Sequence, residues 1–500
     1  SANEVQYIVA HAQAPVVLVE NTEQWEKIKK VRNELPRLRY VVMMKDGGEV
    51  DDPMVLGWEE FIAKGDGVAD DFVEQRLQEL EPKKVATLIY TSGTTGPPKG
   101  VMLTHENLAW TAKVAQGMVN LRPHDCSISY LPLSHIAEQM FTIHGPVTSG
   151  ASVYFAQSLD DLPDDLKSVQ PTVFFGVPRI WEKFYTGITT KLEAAEGGKA
   201  KLLAWARKVG REVSKLRNQN KELGPLLRAQ YVAADTLVFS KLKDAIGLGR
   251  ARVCVSGAAP ISVEILEFFA EFDLVVHEVY GQSEDSGPTS FNLPGKTKFG
   301  TVGPVVPGVE VQIAVDGEIL VRGPNVFAGY FNDKPNTDAC LVDGWLHSGD
   351  LGEIDAQGFL SITGRKKDII ITAGGKNIAP KNIESAIKNL DIVGEAVLVG
   401  DRRKYLSALI SLDIDKLGEF ATKHGLAEGD VSQSDALRDH LQTHIDGVNS
   451  LFARVEHVRK FTVLKRPLSV ENGELTPTLK VKRKVVYEHF AAEIEGMYTN

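Results

Sequence analysis

The sequence predicts a layered α/β protein. A large amino-terminal domain, residues 1–365, ends in a small β-rich part, and a small α+β domain follows over 366–500. Three observations predict this. Between residues 85 and 285, short apolar runs ending in Gly, Ser or Pro alternate with helix-like stretches. Buried parallel strands read as continuous apolar segments joined by crossover helices. Beyond residue 300 the pattern changes to alternation with tight turns, and near Arg365 a second mixed unit begins. With 500 residues, 43% apolar and 24% charged, the chain suits two or more globular domains, and disordered, collagen-like and disulfide-stapled classes are excluded.

The strand runs are 86–91 (ATLIYT), 152–155, 173–177 (VFFGV), 252–256 (RVCVS) and 275–280, and ligands of such sheets bind past the carboxyl ends of strands. A helical insertion over about 186–246 interrupts the alternation. Within it Leu202, Trp205, Ala206, Val209, Val213 and Leu216 fall at helical spacing, with Arg207, Lys208, Arg211 and Lys215 on the other face. Packing against the domain is the expected role, and a membrane-surface helix is the alternative. Val311, Ile313 and Val315 lead through Asp316-Gly317 into 319–321, which predicts a hairpin with a type I′ turn. The strand-like 367–372, the Gly374-Gly375 turn, a helix over 382–390, and strands over 393–399 and 405–412 build the last domain. The joint falls in Arg365-Lys366-Lys367-Asp368, a charged patch that stays solvated while two domains rotate.

Charge and cysteines narrow the function classes. A net charge of −10 disfavours nucleic acid as a partner, since only 480–484 (KVKRK) is locally basic. Cysteines 126, 254 and 340 lie far apart without zinc spacing, which predicts free thiols in a reducing compartment. No membrane-length apolar run and no basic region leading into an apolar core is present, so a cytoplasmic location is expected, with peripheral membrane contact left open.

The sharpest motif is 90–101, YTSGTTGPPKGV. Glycines let backbone N–H groups turn toward an anion, the hydroxyls of Thr91, Ser92, Thr94 and Thr95 add donors, and Lys99 adds a point charge. The pattern describes a polyphosphate cradle. It is not a Walker A loop, because Pro98 stands where the second glycine would be and Gly100 follows the lysine.

This loop resembles the phosphate-binding signature of the adenylate-forming superfamily, which includes acyl-CoA synthetases, peptide-synthetase adenylation domains and luciferases. Further motifs follow in that family's order: 256–260 (SGAAP), 280–284 (YGQSE), 345–350 (WLHSGD) and Gly364-Arg365. The resemblance implies nucleotide contacts from Ser92, Gly93, Thr94, Thr95, Gly96, Lys99, Gly257, Ala258, Ala259, Tyr280, Gly281 and Ser283. It also implies Mg²⁺ at Thr91 and Glu284, with ribose contacts at Asp350 and Arg365. Lys480, in 475–483 (LTPTLKVKR), matches the family's catalytic lysine, although Leu479 replaces the usual Gly; Lys482 is the alternative. The family's rotating small domain implies a hinge at Lys367 and a coenzyme A surface at Gly374, Gly375 and Lys376. Relatives of this type carry on the order of 100 residues before the segment matching 7–19, so the resemblance implies either a truncated amino end or an unusual opening of the fold.

The residues also bear on the substrate. His135 and Glu138, in 132–138 (PLSHIAE), lie where relatives place a group beside the acyl carboxylate, and His135 is the candidate catalytic residue. The segment 177–181 (VPRIW) resembles the long-chain synthetase stretch whose tryptophan, here Trp181, gates an acyl tunnel. The helical insertion resembles that of long-chain and bubblegum-type synthetases. Together these imply a long-chain fatty acid:CoA ligase using ATP, Mg²⁺ and coenzyme A, forming acyl-AMP plus pyrophosphate and then acyl-CoA. Two alternatives stay open: a fatty acyl-AMP ligase loading a carrier protein, and a catalytically impaired lipid- or nucleotide-binding relative. Oligomeric state, a homodimer included, is open as well.

Overall fold

In the computed structural model, the structure describes residues 1–91, 97–476 and 480–499. The chain forms two compact units, Ser1–Glu106 with Phe327–Lys334, and Asn107–Val326 with Pro335–Asn500.

In the first unit, strands β1 (Val16–Val19), β2 (Tyr40–Met43) and β3 (Val55–Gly57) form a parallel sheet in that order. Helix Thr22–Val31 covers it, burying Trp25, Ile28 and Val31 against Val41 and Met43. Their three-residue spacing puts these side chains on one helix face. Strands β4 (Val85–Thr91) and β5 (Lys99–Thr104) pair antiparallel as a hairpin. This corrects the expectation that 86–91 belongs to a parallel sheet. Of its residues only Ile89 is buried, and the partner strand follows closely in sequence.

In the second unit, β6 (Cys126–Ser129) and β7 (Ser152–Phe155) form a parallel pair. Strands β8 (Val173–Gly176), β9 (Val253–Ser256) and β10 (Val276–Tyr280) run parallel, with β11 (Ser290–Phe291) antiparallel at the edge beside β10. Every residue of β8 and β9 is buried, which accounts for their uninterrupted apolar character. The insertion forms helices Pro178–Glu193, Gly197–Arg217, Pro225–Ala234 and Ser240–Ala245. Ala206, Val209 and Val213 of the second join the core around Phe174, Phe239 and Phe269. Arg207 of its charged face donates to Glu271 at 2.6 Å, and Arg211 pairs with the same carboxylate. Packing is therefore the role of that helix's inner face.

Strands β12 (Glu310–Ile313), β13 (Glu318–Arg322), β14 (Leu341–Val342), β15 (Trp345–Ile354) and β16 (Leu360–Arg365) form the β-rich part. The β12–β13 turn corrects the type I′ expectation. Of Asp316 and Gly317 only Gly317 has positive φ, +86°, and Ala314 N–H bonds to Glu318 O while Gly317 N–H bonds to Ala314 O, so the loop is the three residues 315–317 with glycine at the left-handed position. Beyond β16 come a small hairpin of β17 (Ile370–Ile371) and β18 (Asn377–Ile378), helix Pro380–Ile387, and a sheet of β19 (Val393–Val399), β20 (Leu406–Leu412) and β21 (Val458–Val463). Ile383, Ile387, Leu398 and Ile410 share a core there. Cys126, Cys254 and Cys340 are free thiols.

Candidate functional site

The parallel strands of the second unit bring their carboxyl ends into line: Gly176 lies opposite Ser256, and Ser256 opposite Glu278. The polar turns that follow make the site. After β9, Gly257 is required by contact, because a Cβ there would meet Val279 Cγ1 at 2.6 Å. Ala258 sits at φ +69°, a left-handed conformation that costs a non-glycine residue about 1 kcal/mol or more. Gly281, after β10, is equally constrained, since its Cβ would lie 1.4 Å from Gly287 O.

The turn after β10 meets a buried carboxylate. Asp350, on β15, accepts hydrogen bonds from Tyr280 Oη at 2.9 Å, Gln282 Nε2 at 2.7 Å and Arg365 Nε at 2.7 Å. The antiparallel register of β15 and β16 sets Arg365 directly opposite Asp350. The Asp350 charge also raises the Arg365 guanidinium above its usual range. Burial, then the Asp350 charge, raises the Tyr280 phenol, so it stays protonated and donates. Ser283 and Glu284 occupy a 3₁₀ turn, Ser283–Asp285. Asp285 fixes that turn by accepting Gln282 N–H at 2.6 Å and the Thr289 hydroxyl, and burial pushes its carboxyl up to about 8. Gln282 and Asp285 escape sequence reading. Gln282 occupies the variable position of its motif, and its third contact, Ser348 O at 2.9 Å, comes from a distant strand.

His135 precedes the short helix Ile136–Gln139, and its Nδ1 accepts Ala137 N–H at 3.2 Å. Burial, then the Lys480 charge, depresses the imidazole to about 4, so it is neutral near pH 7. With Nδ1 accepting, the proton resides on Nε2, which is a donor. The nearby Glu138 is buried and holds this loop through Ser129 Oγ at 2.5 Å and Thr142 Oγ1 at 2.8 Å.

His135, Ala258 and Gly281 line an apolar cleft of about 1070 Å³, its open mouth included. Met118, Leu121, Met140, Phe141, Phe175 and Phe291 furnish its walls. Trp181 is elsewhere. It is fully buried among Phe174, Phe184 and Phe269, and its Nε1 donates to Gly176 O at 3.0 Å. Trp181 thus packs in the core beneath β8 and is not among the residues that line the cleft.

Lys480 closes the constellation. Thr476 N–H bonds to Lys480 O at 2.8 Å, Lys480 N–H bonds to Thr476 Oγ1 at 3.0 Å, and Leu475 bridges Val481. Lys480 is exposed as a residue, yet desolvation is the chief cause that brings its amine down to about 8. The positive charges of Arg365 and Lys381 add to that effect, and Asp350 opposes it. The amine thus stands within electrostatic reach of the buried acid, its arginine and His135. Lys482 instead caps helix Arg483–His489, with its N–H on Glu474 O at 2.7 Å.

Lys367 is in an exposed turn after β16, next to Lys366, which is ion-paired with Asp316 at 2.6 Å and Glu318 at 3.0 Å. Gly374, Gly375 (φ +71°) and Lys376 form the exposed turn between β17 and β18. Ala259 is exposed in the turn after β9. In the first unit, Thr91 pairs directly across from Lys99 at the ends of β4 and β5, with the Lys99 amine 4.8 Å from the centre of the Tyr330 ring. Ser92, Gly93, Thr94, Thr95 and Gly96 lie outside the described residues. Among the described residues no His, Cys, Asp or Glu cluster of metal-site type occurs, and no helix is long and apolar enough to cross a membrane.

Comparison with known proteins adds the lineage. A family model described as AMP-binding enzyme matches residues 1–331, and one described as AMP-binding enzyme C-terminal domain matches 367–500. The chain is 37% identical to the long-chain-fatty-acid–CoA ligase ACSBG2 of Xenopus laevis, covering 100% of this chain and 72% of that protein. It is also 37% identical to the long-chain-fatty-acid–CoA ligase FadD15 of Mycobacterium bovis, covering 100% and 82%. Among solved structures, the adenylation domain of a carboxylate reductase from Mycobacterium chelonae superposes with a TM-score of 0.74 at 20% identity, covering 100% of this chain and 75% of that one. ATP-bound MatB from Rhodopseudomonas palustris gives 0.67 at 23% identity, covering 98% and 82%. These two likenesses establish the adenylate-forming fold.

Proposed function

Because the chain belongs to the AMP-binding enzyme family, we propose that it activates a long-chain fatty acid with ATP and passes the acyl group to coenzyme A, as the names of its relatives indicate. What supports the reading is the Asp350–Arg365 pair at 2.7 Å and neutral His135 on the wall of an apolar cleft, both within electrostatic reach of the Lys480 amine.

The chemistry demands such a placing. A carboxylate is a poor acyl donor, because its leaving group would be oxide; esterified to AMP it becomes a good one. Its attack on the α-phosphate brings two anions together, and a cation aimed at both lowers that barrier. In this reading the Lys480 ammonium is that cation. Asp350 and Arg365 hold the ribose, and the Tyr280 ring lies on adenine. The Nε2–H of His135 donates to the fatty carboxylate, and the apolar cleft takes the chain. Charge neutralisation of the phosphates is what Mg²⁺ supplies when bound, and the Glu284 carboxylate and Thr91 hydroxyl are oxygen donors of the kind it takes. On the hairpin of the first unit, Thr91 and Lys99 flank the glycine loop as hydroxyl and amine for phosphate oxygens.

The proposal extends to organisation. Residues 366–500 act as a lid turning about Lys367, withdrawing Lys480 after adenylation and offering the turn at Gly374, Gly375 and Lys376 to the thiol co-substrate. Peripheral membrane contact is proposed at the insertion, where Lys201, Lys208 and Lys215 lie exposed on one helix and Leu226, Val232 and Leu237 lie exposed on the segments that follow. Co-sedimentation with anionic but not zwitterionic vesicles is the expected outcome.

A panel of acids from acetate to C24, incubated with ATP and read for AMP and pyrophosphate with and without coenzyme A, tests the function. Palmitate should release pyrophosphate and, with coenzyme A, yield palmitoyl-CoA, while acetate stays inert. Acyl-AMP that persists when coenzyme A is added would transfer the assignment to carrier loading. No pyrophosphate from any acid would overturn it.

A further inference from the structure

Arg179 occupies the first turn of helix Pro178–Glu193, immediately after β8. A cation there opposes the helix dipole, and no acid in that turn compensates it. A locally unfavourable residue of this kind has its explanation at longer range. Its Nη2 donates to Asp413 Oδ2 at 2.8 Å, a carboxylate 234 residues away, beyond the joint near residue 366. Asp413 is the N-cap of helix Ile414–His424, and its Oδ1 accepts Asp415 N–H at 3.1 Å. The pair is mostly shielded, with side-chain exposures of 35% and 18%, and Glu182 stands 3.7 Å from Arg179 Nη1.

Each partner therefore has a second use. Asp413 keeps its helix cap when Arg179 is absent, and Arg179 keeps Glu182. An ion pair whose members both retain a fallback separates without stranding a buried charge, and stranding is what makes most half-buried pairs costly to break. In the arrangement that joins Arg179 to Asp413, the Lys480 amine is within electrostatic reach of Asp350 and Arg365.

We propose that Arg179 and Asp413 form a separable latch that holds the carboxy-terminal segment in the arrangement placing Lys480 at the buried acid, making both positioning residues for acyl-AMP formation and not for thioester formation. This rests on the lid reading above. A contact present in one arrangement and absent from the other shifts the population between them by its own free energy.

The experiment measures two half-reactions separately: pyrophosphate release from palmitate and ATP in a single turnover, and palmitoyl-CoA formation from supplied palmitoyl-AMP and coenzyme A. Arg179→Ala and Asp413→Asn should each slow the first by roughly 3- to 10-fold, the range for a partly screened ion pair. The second should be unchanged or faster. Arg179→Lys, which keeps a cation opposite Asp413 and leaves the helix cap intact, should retain most of the first rate. Asp413→Asn keeps an N-capping side chain, so loss of folding is separated from loss of the pair. Equal slowing of both half-reactions, or no change in their ratio, overturns the latch. If the wild-type chain makes no acyl-AMP, the function itself fails and not the latch alone.

Discussion

Asp350 and Lys480 are held in opposite ways. Asp350 is built in: it lies on a ten-residue strand, Arg365 faces it across the ladder, and three side chains donate to it. Lys480 is carried in, on a short segment joined by the Leu475 and Val481 bridge and two bonds to Thr476. The built-in group suits binding, which must be ready before substrate arrives. The carried group suits a step that must end before the next begins. Binding and chemistry should therefore come apart under mutation.

The largest separation is expected for Lys480→Ala. Removing a cation used only in the transition state should lower single-turnover acyl-AMP formation by about 10²- to 10³-fold, with little change in the Km for ATP. A comparable rise in that Km would erase the distinction. Asp350→Ala should do the reverse, costing about 10- to 100-fold in kcat/Km for ATP mainly through Km, because it removes a binding contact and leaves Arg365 unpaired. Titration calorimetry with ATP checks it.

A third break lies in pH. With the amine lowered to about 8, Lys480 is charged below that pH and neutral above it. Adenylation kcat/Km should hold up to pH 8 and fall by about tenfold per unit beyond, and Lys480→Arg should remove the fall. His135, depressed to about 4, should add no limb between pH 5 and 8. The smallest effect is expected for Gln282→Ala. Two other donors keep Asp350 satisfied, so a loss of about 1 kcal/mol or less in ATP binding, read by the same calorimetry, should accompany an unchanged adenylation step.

Much of the built-in half is legible in sequence, because its constraints are local. Gly257 and Gly281 are fixed by crowding at strand ends, against the Val279 side chain and the Gly287 carbonyl respectively, and Asp350 and Arg365 lie 15 positions apart on adjoining strands. Contacts made by packing are not legible. Trp181 reads equally as tunnel wall or core, and only the β8–β9 geometry puts its ring beneath the sheet. The strand 86–91 has the apolar run of a parallel strand, and what decides otherwise is the partner supplied by the returning chain at β5. Gln282 and the Arg179–Asp413 pair depend on residues 66 to 234 positions away, beyond the reach of any local pattern.

The central claim is that one amine serves one half-reaction. Its most direct test is Lys480→Ala assayed in single turnover on both halves, with palmitate and ATP, then with supplied palmitoyl-AMP and coenzyme A. Pyrophosphate release should collapse while thioester formation keeps its wild-type rate. Parallel loss in both, or loss in neither, would contradict it.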